Sequence, residues 1–234
     1  MILQVEDIHT YYGPSYILQG LSFEIHSGEI VCLIGRNGSG KTTTLRSIIG
    51  LTPPRKGKIR FKGVEITRKM PFRTVRLGMG YVPEDRRIFP SLNVRDNLEI
   101  ARREGRQAGG AGWTLQKIYD FFPKLKDLET HLGTQMSGGE QQVLAMARSL
   151  MGNPELLLVD EPTQGLAPLI VQSFVDLIHR LKTAMSILLV EQNVLFAFSV
   201  SDRGYVIDKG KILYQGDVED LKGNKEVHDR YLAI

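Results

Sequence analysis

A glycine-rich segment that follows a short apolar run constrains this chain more than any other feature. The apolar run is Ile30–Ile34, residues 35–42 read G-x-x-x-x-G-K-T, and a helical pattern follows over Lys41–Ile49. Glycines let the backbone curve so that its N–H groups point at phosphate oxygens, and a helix N-terminus adds partial positive charge. The pattern therefore predicts a strand–loop–helix unit that binds the phosphates of a nucleotide.

Two side chains of this loop extend the prediction to a metal. Lys41 can reach the β- and γ-phosphates, and the Thr42 hydroxyl can bind Mg²⁺. A plain glycine-rich turn with an exposed lysine is the alternative, but the complete motif between a strand and a helix favours nucleotide binding. The candidate nucleotide-binding residues are Gly35, Arg36, Asn37, Gly38, Ser39, Gly40, Lys41, Thr42 and Thr43.

Two adjacent carboxylates follow a second apolar run, at residues 156–159. At the carboxyl end of a strand beside the phosphate loop, Asp160 is placed to hold Mg²⁺. Glu161 is expected on the other side of the pleat, where it could polarise a water that attacks the terminal phosphate. Capping of the turn before Pro162 is the structural alternative, and the phosphate loop favours the catalytic interpretation.

A second helix start lies upstream of these acids. Ser137 and Glu140 have the spacing of a capping box, and Gly138 and Gly139 leave backbone N–H groups free to bind a second anion. Such a start is common by itself. Its position about twenty residues before the apolar run that ends at Asp160 makes it more specific.

The rest of the chain alternates between strand and helix patterns, which predicts an α/β fold with a mostly parallel sheet. A helical block, interrupted by a glycine-rich loop at 105–112, separates the two sheet-forming parts. Further strands are predicted at residues 3–9, 21–26, 58–61, 64–66, 156–159 and 187–190, and helices within 94–151 and at 168–182.

Bulk properties exclude few classes of function. The formal charge of +4 allows an anionic partner, whether nucleic acid or a membrane surface, but on charge alone an ordinary solvated surface is the favoured explanation. The single cysteine, Cys32, lies in an apolar run and is expected to be buried and reduced. No run approaches the roughly 18 apolar residues of a membrane span, and no signal peptide is evident, so membrane association would require a partner.

Taken in order along the whole chain, these motifs resemble the ABC ATPases. Ser137, Gly138, Gly139 and Glu140 match the family signature, with Glu140 where glutamine is usual. The resemblance implies a P-loop NTPase with a RecA-like core, an antiparallel β lobe and an inserted helical lobe. Within a single domain of residues 1–234, the core and β lobe would take about 1–84 and 152–234, and the helical lobe about 85–151.

The resemblance also assigns further site residues. Tyr12 matches the aromatic residue that stacks on adenine, and Glu161 matches the catalytic glutamate. Glu84 stands where the family has the glutamine of its coupling loop. Gln192 stands where the family often has a histidine that contacts the γ-phosphate; glutamine can donate a hydrogen bond but cannot carry charge.

The same departures make the chain similar to one branch of the family, the second ATPase of branched-chain amino acid importers; urea and amide importers have ATPases nearly as similar. This implies an enzyme that hydrolyses ATP with Mg²⁺ in a head-to-tail dimer, with a second ABC ATPase or a second copy. It also implies two permease subunits, an external solute-binding protein and a place at the cytoplasmic face of a prokaryotic membrane. A soluble ABC ATPase acting on nucleic acid or ribosomes is the alternative, but no long coiled-coil insertion supports it, and no nucleic-acid partner is expected.

Overall fold

The computed structural model describes residues 1–103 and 112–227. The glycine-rich loop predicted at 105–112 lies outside these residues except for its last one, as do the closing residues 231–234. The strands are β1 (Leu3–Tyr12), β2 (Ser15–Ile25), β3 (Ile30–Ile34), β4 (Lys56–Phe61), β5 (Val64–Glu65), β6 (Met79–Val82), β7 (Leu156–Asp160), β8 (Ser186–Glu191), β9 (Arg203–Asp208) and β10 (Lys211–Asp217).

Short and medium helices connect the strands. They are α1 (Lys41–Ile49), α2 (Pro71–Arg76), α3 (Val94–Glu99), α4 (Leu115–Phe121), α5 (Pro123–Asp127), α6 (Gly138–Leu150), α7 (Pro168–Lys182), α8 (Val194–Val200), α9 (Val218–Gly223) and α10 (Lys225–Val227), with a 3₁₀ turn at Gly133–Gln135. None of the helices in the described ranges has the length and apolarity to cross a membrane.

A six-stranded sheet in the order β10-β9-β3-β8-β7-β6 forms the centre of the molecule, and only β10 runs antiparallel to its neighbour. Residues of β3, β7 and β8 are buried on both faces of this sheet. Cys32 and Leu189 pack against the helices on one face, whereas Leu33 and Leu188 pack toward α1 and the second sheet on the other. Burial on both sides explains why these strands are continuous apolar runs, and the predicted α/β fold is confirmed.

The second sheet is antiparallel, in the order β2-β1-β4-β5. Its first two strands are longer than predicted: β1 continues through Tyr12, and β2 begins at Ser15 instead of Leu21. The polar residues at the tip of the hairpin carry no apolar alternation, so their strand conformation comes from the ladder between β1 and β2. The ladder also contains register shifts, and Gly20 in β2 has φ +81°, so apolar and polar residues do not alternate regularly along these strands.

Helices α3 to α6 lie between β6 and β7 in the chain, where the helical pattern was predicted. At the start of α6, the Ser137 hydroxyl accepts a bond from Glu140 N, and the Glu140 carboxylate accepts one from Ser137 N at 2.8 Å. The predicted capping box is therefore present. The side chains of Asn93 and Thr114 likewise accept a bond from a free N–H group at the starts of α3 and α4, whereas α5 begins at a proline without a side-chain cap.

Parallel pairing brings the carboxyl ends of four strands to one edge of the central sheet. β3 pairs with β8, β8 with β7, and β7 with β6. The segments that follow these strands are the glycine-rich loop, residues 192–193, residues 161–163 and residues 83–84. Segments far apart in the sequence thus meet at one edge, where ligands bind in open α/β sheets.

The turn between β9 and β10 is hydrogen-bonded to the glycine-rich loop and to β2. Gly210 N donates to Ser39 O at 2.8 Å, and Gly210 O accepts from Gln19 N at 2.9 Å. The turn approaches β2 so closely that a Cβ at Gly210 would lie 1.9 Å from Ile17 O. Only glycine fits this position.

Gly210→Ala is therefore expected to destabilise the protein more than Gly63→Ala. Both glycines have φ +76°, but a Cβ at Gly63 would meet no atom within 4 Å. Gly63→Ala should cost about 1 kcal/mol for the left-handed conformation, and Gly210→Ala about 2–4 kcal/mol because the backbone must also shift. Urea unfolding of both variants measures the difference, and equal losses of stability would contradict the packing argument.

Candidate functional site

The glycine-rich loop wraps around its own lysine. Gly38 and Gly40 adopt φ +79° and +113°, and a Cβ at Gly35 would lie 2.2 Å from Ile207 O, so the loop depends on these glycines. The Ser39 hydroxyl is buried and has no hydrogen-bond partner within the described part of the chain. A buried hydroxyl without a partner fits a loop that binds a polar ligand such as a phosphate.

Lys41 is held inside this loop, with 4% of its side chain exposed. Its Nζ donates to Gly35 O at 2.9 Å and to Arg36 O at 3.1 Å, and forms an ion pair with Glu161 Oε1 at 3.1 Å. The ammonium group is thus surrounded by acceptors at the mouth of α1. It is placed where a positive charge can attract phosphate.

A hydroxyl and a carboxylate meet on the other side of the loop. Thr42 Oγ1 donates to Asp160 Oδ1 at 3.0 Å, and Tyr81 OH donates to Asp160 Oδ2 at 3.2 Å. Oxygen ligands of this kind suit Mg²⁺, so the donor set fits the metal. Nowhere in residues 1–103 and 112–227 do three His, Cys, Asp or Glu side chains form a metal cluster, so the remaining ligands would be phosphate and water oxygens.

Glu84 lines a cavity together with Thr42, Tyr81 and Asp160. The cavity has a volume of about 210 Å³ and is lined by Thr42, Arg46, Leu51, Tyr81, Pro83, Glu84, Asp85, Arg87 and Asp160. Burial raises the pKa of Asp160 to about 6, and the charges of Glu84 and Glu161 add to this, while hydrogen bonds from Thr42 and Tyr81 oppose it. The lining contains three carboxylates and two guanidinium groups, those of Arg46 and Arg87, so a divalent cation beside Asp160 would offset the excess of acid.

Glu161 comes directly after β7. The strand ends at Asp160, and Glu161 has φ +43°, a left-handed conformation that is strained for a residue with a side chain. Its N–H donates to Val190 O at 2.9 Å, which fixes the start of the turn. Glu161 therefore lies in the turn that follows the strand, and from there its carboxylate pairs with Lys41, whereas Asp160 contacts Thr42 and Tyr81.

Gln192 is exposed and comes directly after β8. Its N–H donates to Glu191 Oε2 at 3.0 Å, whereas its side chain makes no hydrogen bond within the described residues. The structure therefore places Gln192 at the same edge as Glu161 without joining the two side chains.

The capping-box residues Ser137 and Glu140 stand apart from the phosphate loop. Among the described residues, no hydrogen bond or ion pair joins residues 137–140 to residues 35–43. Ser137 is exposed, and Gly138 and Gly139 are half-buried at the mouth of α6. Hydrogen bonds from the Ser137 backbone and side chain lower the pKa of Glu140, as expected for a capping carboxylate.

Tyr12 lies at the tip of the β1–β2 hairpin with 40% of its surface exposed. The guanidinium of Arg46, on the helix that follows the phosphate loop, lies 5.9 Å from its ring centroid. An exposed ring near α1 has a free face on which a planar group could stack.

Three further residues contribute contacts at this edge, although no sequence motif predicts a role for them. Tyr81 bonds to Asp160, and Thr163 and Glu191 bond to each other at 2.7 Å. Tyr81 and Thr163 stand next to recognised motifs, but their own residue types gave no signal. Glu191 ends an apolar strand, and its contact with Thr163 exists only after β7 and β8 have paired.

Comparison with known proteins gives consistent matches. A family model described as "ABC transporter" matches residues 18–164. The protein named "High-affinity branched-chain amino acid transport ATP-binding protein BraG" from Pseudomonas aeruginosa is 38% identical over 99% of this chain and 100% of its own length. The "Probable branched-chain amino acid transport ATP-binding protein LivF" of Archaeoglobus fulgidus is 33% identical over 100% of this chain and 99% of its own length.

Relatives with other roles also match. The "Lipopolysaccharide export system ATP-binding protein LptB" of Haemophilus influenzae is 31% identical over 99% of this chain and 97% of its own length. Among solved structures, the ADP conformation of MJ1267, an ATP-binding cassette of an ABC transporter, superposes with a TM-score of 0.84 at 26% identity, covering 100% of this chain and 99% of that one.

Asp160→Asn is expected to stabilise the protein in metal-free buffer at neutral pH. Because burial raises the pKa of Asp160 to about 6, the folded state favours the protonated carboxyl. The protonated Asp160 carboxyl therefore stabilises the folded protein fully below about pH 4, and this stabilisation is lost as the pH rises through about 6. The variant should gain about 1–3 kcal/mol at pH 7.5 and almost nothing near pH 4. Urea unfolding in EDTA at both pH values measures this, and an equal gain at both would contradict the explanation.

Proposed function

Because this chain belongs to the ABC transporter ATP-binding family and is thus an ATP-hydrolysing enzyme, we propose that it drives an importer of branched-chain amino acids. Two full-length relatives, BraG and LivF, carry that activity in their names. LptB, named for lipopolysaccharide export, is somewhat less similar at 31% identity. The importer assignment also agrees with Glu84 and Gln192, the two departures from the usual family pattern.

The proposed site rests on two contacts that lie side by side. Lys41 pairs with Glu161 at 3.1 Å, and the neighbouring residues Thr42 and Asp160 share a hydrogen bond of 3.0 Å. Phosphate binding, metal binding and water activation can therefore occur around one point. We assign phosphate binding to Lys41 and the loop amides, metal binding to Thr42 and Asp160, and water activation to Glu161.

The proposed mechanism depends on position and charge. The loop amides and Lys41 hold the β- and γ-phosphates and stabilise the negative charge that develops on the γ-phosphoryl group. Glu161 accepts a hydrogen bond from the attacking water and orients it in line with the leaving oxygen. Thr42 and Asp160 would hold Mg²⁺, which would supply positive charge that stabilises the negative charge of the phosphates. Tyr12 stacks on adenine, and Gln192 donates a neutral hydrogen bond near the γ-phosphate.

A second ATPase chain would complete the site. Among the described residues, no hydrogen bond or ion pair joins the helix start at 137–139 to the phosphate loop of the same chain, so an ATP held at that start would be bound by the phosphate loop of a partner chain. We infer a head-to-tail dimer, either with a different ABC ATPase or with a second copy.

The permease contact is assigned to residues 84–90 and the groove beside them. This groove, of about 390 Å³, is lined by Ile49, Leu51, Pro71, Val75, Met79, Gly80, Tyr81, Ile100, Ala101, Arg102, Arg103, Arg148, Ser149, Gly152 and Pro154. Its apolar floor and basic rim suit a short helix with an apolar face. Two permease subunits bound in this way would hold the chain at the cytoplasmic face of the membrane, with a solute-binding protein on the outer side.

Glu161→Gln tests the role of the carboxylate. The variant keeps the size of the side chain and leaves the phosphate loop intact, so ATP should still bind while kcat falls by about 10²-fold or more. Glu155→Gln is a matched control, because Glu155 precedes the opposite end of β7 and pairs with Lys62 on the surface. Its kcat should match the unmodified protein. Full turnover by Glu161→Gln would remove Glu161 from the mechanism.

Reconstitution tests the transport assignment. The chain, its second ATPase and its permease subunits in proteoliposomes should hydrolyse ATP several-fold faster with binding protein and leucine, isoleucine or valine. If the partner is a different ATPase, the isolated chain should hydrolyse ATP slowly, because that partner's signature helix is missing. Fast, cooperative turnover by the pure chain would instead indicate a homodimer. Stimulation by urea or short amides instead would favour that importer class. Co-purification with nucleic acid or ribosomes and no membrane partner would favour a soluble ABC ATPase.

A further inference from the structure

Glu191 joins two loops of the site through one buried carboxylate. It is the last residue of β8, with 2% of its surface exposed. Its Oε1 accepts bonds from the backbone N–H and the hydroxyl of Thr163 at 3.2 and 2.7 Å. Its Oε2 accepts bonds from the N–H groups of Gln192 and Asn193 at 3.0 and 3.1 Å. Each oxygen therefore holds a different loop.

Hydrogen bonds stabilise the negative charge of the Glu191 carboxylate. Within the described residues, Glu191 forms no ion pair, and a buried carboxylate without a cation is costly unless donors surround it. Burial raises its pKa, and the bonds from Thr163 and Asn193 oppose that rise. All four groups that reach Glu191 are donors, so the carboxylate satisfies both loops at once.

The two loops are those that carry the proposed chemistry. Thr163 is two residues beyond Glu161, in the turn whose left-handed start directs Glu161 to Lys41. Gln192 is the first residue of the other loop. We propose that Glu191 is a positioning residue, which holds the turn of Glu161 in register with Gln192; this rests on the proposed role of Glu161.

A positioning role for Glu191 affects the rate of turnover but not the affinity for the nucleotide. Glu191 makes no hydrogen bond to residues 35–43 in the part of the chain that the structure describes, so phosphate binding should not depend on it. A small displacement of the group that orients the attacking water, in contrast, lowers the rate of the chemical step. Loss of Glu191 should therefore lower kcat and leave the KM for ATP nearly unchanged.

Glu191→Gln is the most direct test. The amide has the same shape, but its NH₂ group must face at least one backbone N–H, so one loop loses an acceptor. We expect kcat per folded molecule to fall about 10- to 100-fold, as for other outer positioning partners, and KM to change less than about twofold. Thermal unfolding and binding of an ATP analogue would be measured on the same samples.

Glu29→Gln provides a matched control. Glu29 is also a largely buried carboxylate, it accepts bonds from His26 N and Arg203, and it lies at the opposite edge of the same sheet. The same substitution there should lower stability without changing kcat per folded molecule. Equal effects of the two variants on kcat would show that any loosening of the sheet is sufficient, and the proposal would be overturned.

Thr163 tests the same contact from the other side and remains decisive if Glu191→Gln fails to fold. Thr163→Val removes the 2.7 Å hydroxyl bond and should lower kcat, whereas Thr163→Ser keeps the hydroxyl and should retain it. In a foldable double variant, the losses from Thr163→Val and Glu191→Gln should be less than additive. Unchanged kcat in either single variant would overturn the proposal.

Glu161→Gln, measured alongside, separates two kinds of failure. If Glu161→Gln is inactive but Glu191→Gln turns over normally, the positioning role is wrong and the proposed catalytic role stands. If Glu161→Gln turns over normally, the catalytic role itself is wrong, and the positioning role falls with it.

Discussion

Parallel pairing of β3, β8 and β7 sets the register in which the functional site is built. In this ladder Ile34 lies opposite Glu191, and Val190 lies opposite Asp160. The phosphate loop and the acidic residues therefore leave the sheet at the same height and on neighbouring strands. This alignment brings Thr42 and Asp160, 118 residues apart in the sequence, within 3.0 Å of each other. Without that register, the motifs would be present in the chain but would not form a site.

Three buried carboxylates at this edge are stabilised in three different ways. Glu161 pairs with the ammonium of Lys41, Asp160 accepts hydroxyl bonds from Thr42 and Tyr81, and Glu191 accepts only bonds from adjoining loops. The site thus holds more acid than base. A magnesium ion would offset this excess of acid beside Asp160, while the loop amides and Lys41 face the negative charge of the phosphates.

The segment at residues 84–90 connects this site to the helices outside it. Glu84 lines the cavity at Asp160, while the Arg86 guanidinium donates to Gln141 on α6 at 3.4 Å and lies against Gly138. Arg86 and Arg87 both have positive φ, and Arg148 of α6 donates to Arg87 O at 2.6 Å. A displacement of this strained segment would therefore reach both the proposed metal ligand Asp160 and the start of α6. Such a link suits a segment proposed to contact a permease.

Local patterns in the sequence determined the phosphate loop, helix α1, the capping box at Ser137 and the bounds of α7, because each depends on neighbouring residues. The two apolar runs before Asp160 and Gln192 were equally readable, since burial on both faces of a sheet leaves a continuous apolar pattern. Only the tertiary structure decided the full length of β1 and β2, the strands β9 and β10, the direction of Glu161, and the contacts of Tyr81 and Glu191. These features depend on pairing and hydrogen bonding between segments far apart in the chain, which no local residue pattern records.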